Sequence, residues 1–218
     1  MAREVIYVVG DLHIGDPKSQ WRLALAYLQT VRKPQPQLVI FNGDTFECRY
    51  AANHLVEALE EFQEFCETLD SMGLLTRAVF VRGNHDSAVE EVFERGDVVV
   101  EPYVLVWCGD CDVLVIHGDG VGLEVAVNKY DGANTSALLE VKEGLKEKGH
   151  PRLPTISEKD WLVTSHFDSG VCNATYQVCG LGSWRGEAIW ADGKKGLCAY
   201  IDPYATIPER TVWLRKVI

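Results

Sequence analysis

Short apolar runs, each stopped by glycine or an acidic residue, alternate in the first half of the chain with stretches whose apolar positions recur every three or four residues. Residues 5–9, 38–41, 78–81 and 113–116 are of the first kind, rich in Val and Ile. They predict short strands buried on both faces. Between the first two, Trp21, Leu25 and Leu28 fall on one helical face over residues 21–32, after Asp16-Pro17 and Ser19, which suit a helix start. Between the second and third, Leu55, Leu59, Phe62, Cys66 and Leu69 repeat with glutamates on the opposite face. Strand, helix, strand, helix, strand predicts an α/β layered fold in which ligands collect at the carboxyl ends of strands.

Further along, the pattern predicts a short helix over 87–95, strands at 98–100 and 103–107, and a charged amphipathic helix over 138–148 that covers one side of the site. Strand-like segments at 176–178, 188–190, 197–201 and 211–217 supply a second sheet that closes the core. The expected architecture is a four-layer α/β/β/α sandwich with two mixed sheets. At 218 residues and 47% hydrophobic, residues 1–218 suit one domain, with a small cap around 120–158. Cys108-Gly109-Asp110-Cys111 reads as a tight hairpin turn in preference to a redox or zinc pair.

Five of the strand ends carry chemistry. Gly10-Asp11-Leu12-His13, Gly43-Asp44, Gly83-Asn84-His85-Asp86 and His117-Gly118-Asp119 each follow an apolar run, and Ser165-His166-Phe167-Asp168 follows residues 160–164 in the same manner. Asp11 and His13, two residues apart, can reach one ion where the backbone leaves a strand extended. Asp44 can place one oxygen on each of two ions, and Asn84, His117 and His166 can complete a second sphere of mixed N and O donors. Taken singly, Gly-Asp is a turn or helix cap, and His117 a hydrogen-bonded structural histidine. Together the clusters predict a dinuclear metal site.

From Asp11 to Asp168 this pattern closely resembles the calcineurin-like metallophosphoesterases, whose motifs run D-x-H, G-D, G-N-H-[DE], a lone His, and G-H-x-H. The resemblance implies one metal held by Asp11, His13, Asp44 and the last motif position, and another held by Asp44, Asn84, His117 and His166. It implies a hydroxide bridging the two ions and attacking phosphorus in line. It assigns His85 to protonating the leaving oxygen or stabilising transition-state charge, with Asp86 beside it to orient the ring. The final histidine of the family is replaced here by Asp168. Either Asp168 adds a hard oxygen donor, favouring Mn²⁺ or Mg²⁺ over Zn²⁺ in that site, or it misses the ion and leaves the site weak. Mn²⁺ is the first expectation, with Fe, Zn, Ni or Mg as alternatives. Arg49 and Arg82 flank two of the motifs as candidate contacts for substrate phosphate.

Charge and cysteine content adjust this picture in two respects. A formal charge of −11 disfavours a broad basic surface for duplex nucleic acid, while two divalent ions would bring it to −7 and reverse the potential locally where a phosphate docks. Seven cysteines without framework spacing, and no N-terminal apolar stretch long enough for a signal peptide or membrane span, fit a cytoplasmic protein. The expected function is hydrolysis of a phosphomonoester, phosphodiester or pyrophosphate in a small phosphorylated substrate. The alternatives are a nuclease, and a non-catalytic metal-binding scaffold of the same fold.

Overall fold

The computed structural model describes residues 5–30, 36–48, 54–86, 99–108, 111–132, 134–167, 170–185, 197–201 and 213–216. Arg49, Asp168, the segment 87–95 and the segment 188–190 lie outside them. Three parallel strands form the centre of a first sheet: β1 (Val5–Val9), β2 (Pro36–Asn42) and β3 (Ala78–Val81). The chain crosses between them through α1 (Trp21–Thr30) and α2 (Leu55–Ser71), as the alternating pattern requires. β4 (Val99–Glu101) extends this sheet beside β3. β10 (Leu197–Ile201) pairs antiparallel with β1, and β11 (Trp213–Lys216) antiparallel with β10, giving the order β11-β10-β1-β2-β3-β4.

A second sheet has the order β5-β6-β7-β9-β8, from β5 (Val104–Trp107), β6 (Asp112–Val115), β7 (Trp161–Thr164), β8 (Val171–Asn173) and β9 (Val178–Gly180). It is mixed too: β6, β7 and β9 run parallel, and β5 and β8 antiparallel to their neighbours. β5 and β6 pair antiparallel, with Trp107 opposite Asp112 and Cys108 N–H donating to Cys111 O at 3.1 Å; Gly109 and Asp110 of the expected turn lie outside the described residues.

Alternation along β1 shows how the layers stack. Val5, Tyr7 and Val9 pack into a core with α1 and α2, whereas Ile6 and Val8 point into a second core shared with Val113, Val115 and Val163 of the other sheet. A strand buried on both sides must read as a continuous apolar run, which is why 5–9 carries no polar residue. In the first core Phe41 stacks on Phe80 with ring centroids 5.0 Å apart and meets Phe65 edge-on at 5.2 Å. Such pairs add about 0.5–1.5 kcal/mol each beyond burial. A third core lies on the outer face of the second sheet, where α3 (Leu123–Lys129) and α4 (Thr135–Lys148) bring Leu123, Ala126, Leu138, Val141 and Leu145 onto Leu114 and Leu162. Helix, sheet, sheet, helix is the expected four-layer sandwich, but segments 197–201 and 213–216, expected in the second sheet, join the first instead, because β10 pairs with the free edge of β1 and β11 with β10.

Three local expectations are corrected. The helix expected from Leu138 starts at Thr135, because the Asn134 side chain accepts the N–H groups of Ser136 at 3.0 Å and Ala137 at 3.1 Å and so caps an extra turn. α3 was not expected: only Leu123 and Ala126 of its seven residues are buried, too few to reveal a period. Residues 176–177, expected in a strand, belong to the turn between β8 and β9. There Asn173 Oδ1 accepts from Thr175 N at 3.0 Å, and Gln177 adopts φ +51°.

Lys142 of α4 is buried against this turn and donates from Nζ to the carbonyl oxygens of Glu158 at 2.8 Å and Tyr176 at 2.9 Å. Burial pulls its pKa below the ordinary lysine value. Lys142→Met keeps the packing and removes the donors, leaving two carbonyls without this partner. Urea unfolding should show a loss of roughly 2 kcal/mol at unchanged m-value.

Candidate metal centre

All five chemistry-bearing clusters leave the carboxyl ends of parallel strands: Asp11 and His13 after β1, Asp44 after β2, Asn84 to Asp86 after β3, His117 after β6 and His166 after β7. Hydrogen bonds stitch these ends together. Asp11 N–H donates to Gly43 O at 3.2 Å and His13 N–H to Asp44 O at 2.8 Å within the first sheet. Asn42 Nδ2 donates to Ile116 O at 2.8 Å, and His166 N–H to Asp11 Oδ1 at 3.1 Å, between the sheets.

The crowding explains the glycines. A Cβ on Gly83 would lie 2.2 Å from Asp44 Oδ1 and 2.3 Å from Asp44 N, and one on Gly43 would lie 2.3 Å from His117 Nδ1. Four non-glycine residues, Asp11 (φ +50°), His13 (+49°), Asp44 (+46°) and His166 (+80°), hold left-handed backbone conformations. Such conformations persist where surrounding contacts over-determine them, and they gather at functional sites.

Asp44 stands between two groups of donors. Its Oδ2 is 4.0 Å from His13 Nε2 and 4.0 Å from His85 Nε2 on one side, and 3.2 Å from His117 Nε2 on the other. Ligand atoms of His13, Asp44 and His85 all lie within 4.8 Å of one another, as do those of Asp44, His117 and His166. Asn84 Oδ1 is 3.2 Å from His117 Nε2, and His166 Nδ1 is 3.0 Å from the same nitrogen. Asp11 Oδ1 lies 3.6 Å from His117 Nδ1.

Behind the first group sits Glu47, almost wholly buried. Its carboxylate meets His13 Nδ1 at 2.9 Å and His85 Nδ1 at 2.8 Å. Because a carboxylate only accepts, both rings carry their proton on Nδ1 and turn Nε2 toward Asp44.

The electrostatics follow from burying so many acids together. Desolvation raises Asp11 to about 7, and desolvation reinforced by Asp44 raises Asp86 to about 7. Burial also opposes ionisation of Asp44, but the hydrogen bond and charge of His117 win and hold it well below the usual carboxylate range. His117 is the converse case: burial disfavours its cation, yet Asp44 and Asp11 lift it to about 10. His13 is raised against the pull of burial by Glu47, Asp11 and Asp44. His166 is lowered by burial and by the neighbouring His117.

Of the sequence-predicted residues, the fold brings Asp11, His13, Asp44, Asn84, His85, His117 and His166 into this cluster. Asp86 does not orient the His85 ring as expected. Its two oxygens accept the backbone N–H groups of Phe46 at 2.8 Å and Gly83 at 2.9 Å, so it fixes the loop, and Glu47 holds the ring. Arg82 is exposed outside the cluster. Sequence reasoning missed three participants. Glu47 was legible only as an acid set among apolar neighbours three positions after Asp44. Ser165 Oγ meets His117 Nδ1 at 3.0 Å and also donates to Asn42 O. Glu124 meets His166 Nε2 at 3.0 Å from the unforeseen α3.

The family model for calcineurin-like phosphoesterase matches residues 5–169. The chain belongs to the calcineurin-like phosphoesterases. Among solved structures, it is similar to the phosphoesterase Yfce from E. coli, with TM-score 0.51 and 14% identity, covering 98% of this chain and 100% of that one. It is also similar to a single mutant of Vps29 from Entamoeba histolytica, with TM-score 0.51 and 14% identity, covering 97% of each chain. At these identities the likeness concerns the fold alone. No curated protein matches the chain. Among the described residues no helix is long and apolar enough to cross a membrane.

The family is one of dinuclear metal centres, and the donor set of this phosphoesterase chain fits that chemistry. Two ligand atoms each about 2.1 Å from one divalent ion stand roughly 3–4 Å apart, which matches the 3.2–4.0 Å between Asp44 Oδ2 and the three imidazole nitrogens. Imidazole and carboxylate together suit divalent transition ions.

Entry of such an ion requires neutral imidazoles, whereas His117 and His13 are drawn toward protonation in the metal-free cluster. Loading should therefore release protons, and affinity for Mn²⁺ should rise with pH from 6 to 8. Calorimetric titration in two buffers of different ionisation enthalpy checks this, with proton release as the expected outcome. Gly83→Ala, which drives a methyl group into Asp44, should weaken Mn²⁺ binding about tenfold or more in the same assay.

Proposed function

We propose that this chain is a metal-dependent phosphoric ester hydrolase acting on a phosphomonoester, phosphodiester or pyrophosphate in a small substrate. The observation that carries the reading is the position of Asp44 between two donor groups, with the His85 ring held beside it by Glu47. In this reading Asp11, His13 and Asp44, with Asp168 as a further donor, would hold one divalent ion. Asp44, Asn84, His117 and His166 would hold the other. Mn²⁺ is the first choice, ahead of Fe, Zn, Ni or Mg. When bound, the ion pair supplies Lewis acidity that polarises phosphoryl oxygens and lowers the pKa of water.

The protein's own groups do the rest. Glu47 accepts hydrogen bonds from the Nδ1–H groups of His13 and His85, leaving the Nε2 lone pair of His13 as a ligand and fixing the ring of His85. In the proton-donor role His85 carries a proton on Nε2 while its Nδ1–H stays bonded to Glu47. That proton passes to the leaving oxygen as the P–O bond breaks, which would otherwise expel an alkoxide. Asp86, by pinning Phe46 and Gly83, keeps the two loops that carry Asp44 and His85 at a fixed separation.

A second role for His85 is favoured by its Nε2 lying as far from Asp44 Oδ2, 4.0 Å, as that of His13, which is also a ligand distance. Variants divide the two. As a proton donor, His85→Asn keeps full metal content by elemental analysis and loses 10²- to 10⁴-fold in kcat on aryl phosphate mono- or diesters. As a ligand, it loses metal in parallel with activity. Asp44→Asn should lose both metal and activity under either role. Glu47→Gln should lower kcat with metal content largely retained, because the His85 ring loses the carboxylate that holds it in place. Absence of turnover by wild-type protein with Mn²⁺, Fe²⁺, Ni²⁺ and Zn²⁺ would overturn the hydrolase reading in favour of a scaffold.

A further inference from the structure

Beside His117 the surface opens into a cavity of about 370 Å³, the size of a small-molecule site. Its walls come from Arg82 at the end of β3, Pro102 between β4 and β5, the loop 116–121 after β6, and the loop 150–153 after α4. His117 belongs both to this wall and to the donor group around Asp44, so the cavity borders the cluster. A phosphoryl group seated against Asp44 and His117 therefore has room for its substituent here.

The charge of the lining runs against that of the chain. In a protein of net charge −11, the described residues that line this cavity include Arg82, Arg152 and His150 and a single carboxylate, Asp119. His150 Nδ1 accepts the backbone N–H of Arg152 at 3.3 Å, which leaves Nε2 as the protonated, donating nitrogen of the neutral ring. No Phe, Tyr or Trp is among the described residues that line the cavity. The remaining surface is short and aliphatic, from Val121, Leu153 and Pro102.

We infer that this cavity recognises a second anionic group on the substrate, a carboxylate or a phosphate carried by the part that leaves the scissile phosphorus, with Arg152, Arg82 and His150 as its donors. This rests on the hydrolase reading and narrows it. The substrate class becomes a small aliphatic phosphoester with an oxyanion at its far end. The guanidinium fork suits such a group, since it presents paired N–H donors to a planar or tetrahedral oxyanion.

Three phosphonates, whose C–P bond resists hydrolysis, test the site by equilibrium calorimetry on the full chain loaded with Mn²⁺. They are propylphosphonate, 3-phosphonopropanoate and propane-1,3-diphosphonate. The expected result is that at least one of the two doubly anionic compounds binds about tenfold tighter than propylphosphonate, the tighter one identifying the oxyanion. R152A should reduce that preference to about threefold or less, and R152E should abolish it. Equal affinities for all three overturn the second-anion site, as does a preference that survives in R152E. So does failure of all three to bind protein that turns over the aryl esters. In each of those cases the hydrolase reading stands. Absence of aryl ester turnover removes the hydrolase reading and the cavity's role together.

Discussion

One buried carboxylate organises the molecule: Asp44, packed so tightly that the next loop can pass it only as glycine. Its oxygens take the backbone N–H of His85 and the ring of His117, and they lie between imidazoles delivered by both sheets. An anion in that position needs compensating positive charge. The neighbouring groups register the need, with His117 and His13 pulled up toward their cationic forms. The sandwich can be read as a device for gathering five strand ends around this one group.

Much of that was written in the pattern of the chain. Runs such as 5–9 and 78–81, buried on both faces, can belong only to inner strands of a layered fold, and the residues that end them had to converge. What the pattern concealed were features set by tertiary contact. Glu47 lies in an apolar context that looks like core, and only the folded chain shows one carboxylate serving two histidines. Asp86 was placed in the right loop but given the wrong partner, because adjacency in sequence to His85 says nothing about which way the two side chains leave the backbone. α3 has too few buried residues to carry a period, and Glu124 went unseen with it.

Net charge proved a poor guide to local potential. The chain is strongly acidic overall, yet basic side chains meet at the cavity beside His117, and a cation pair at Asp44 would extend that positive region inward. Overall acidity and an anionic substrate are compatible when the field is shaped at the site.

The four left-handed residues at the cluster have a consequence for folding. Each costs of the order of 1 kcal/mol relative to a relaxed backbone, somewhat less for aspartate. The strand ends are thus under tension that the apolar layers below them hold in place. Cations bound there would draw the same loops inward and supply favourable energy at the very place where the backbone withdraws it. Metal loading and folding are on this view two ends of a single equilibrium. The metal-free chain would keep its layers while the rim of strand ends is the first part to loosen.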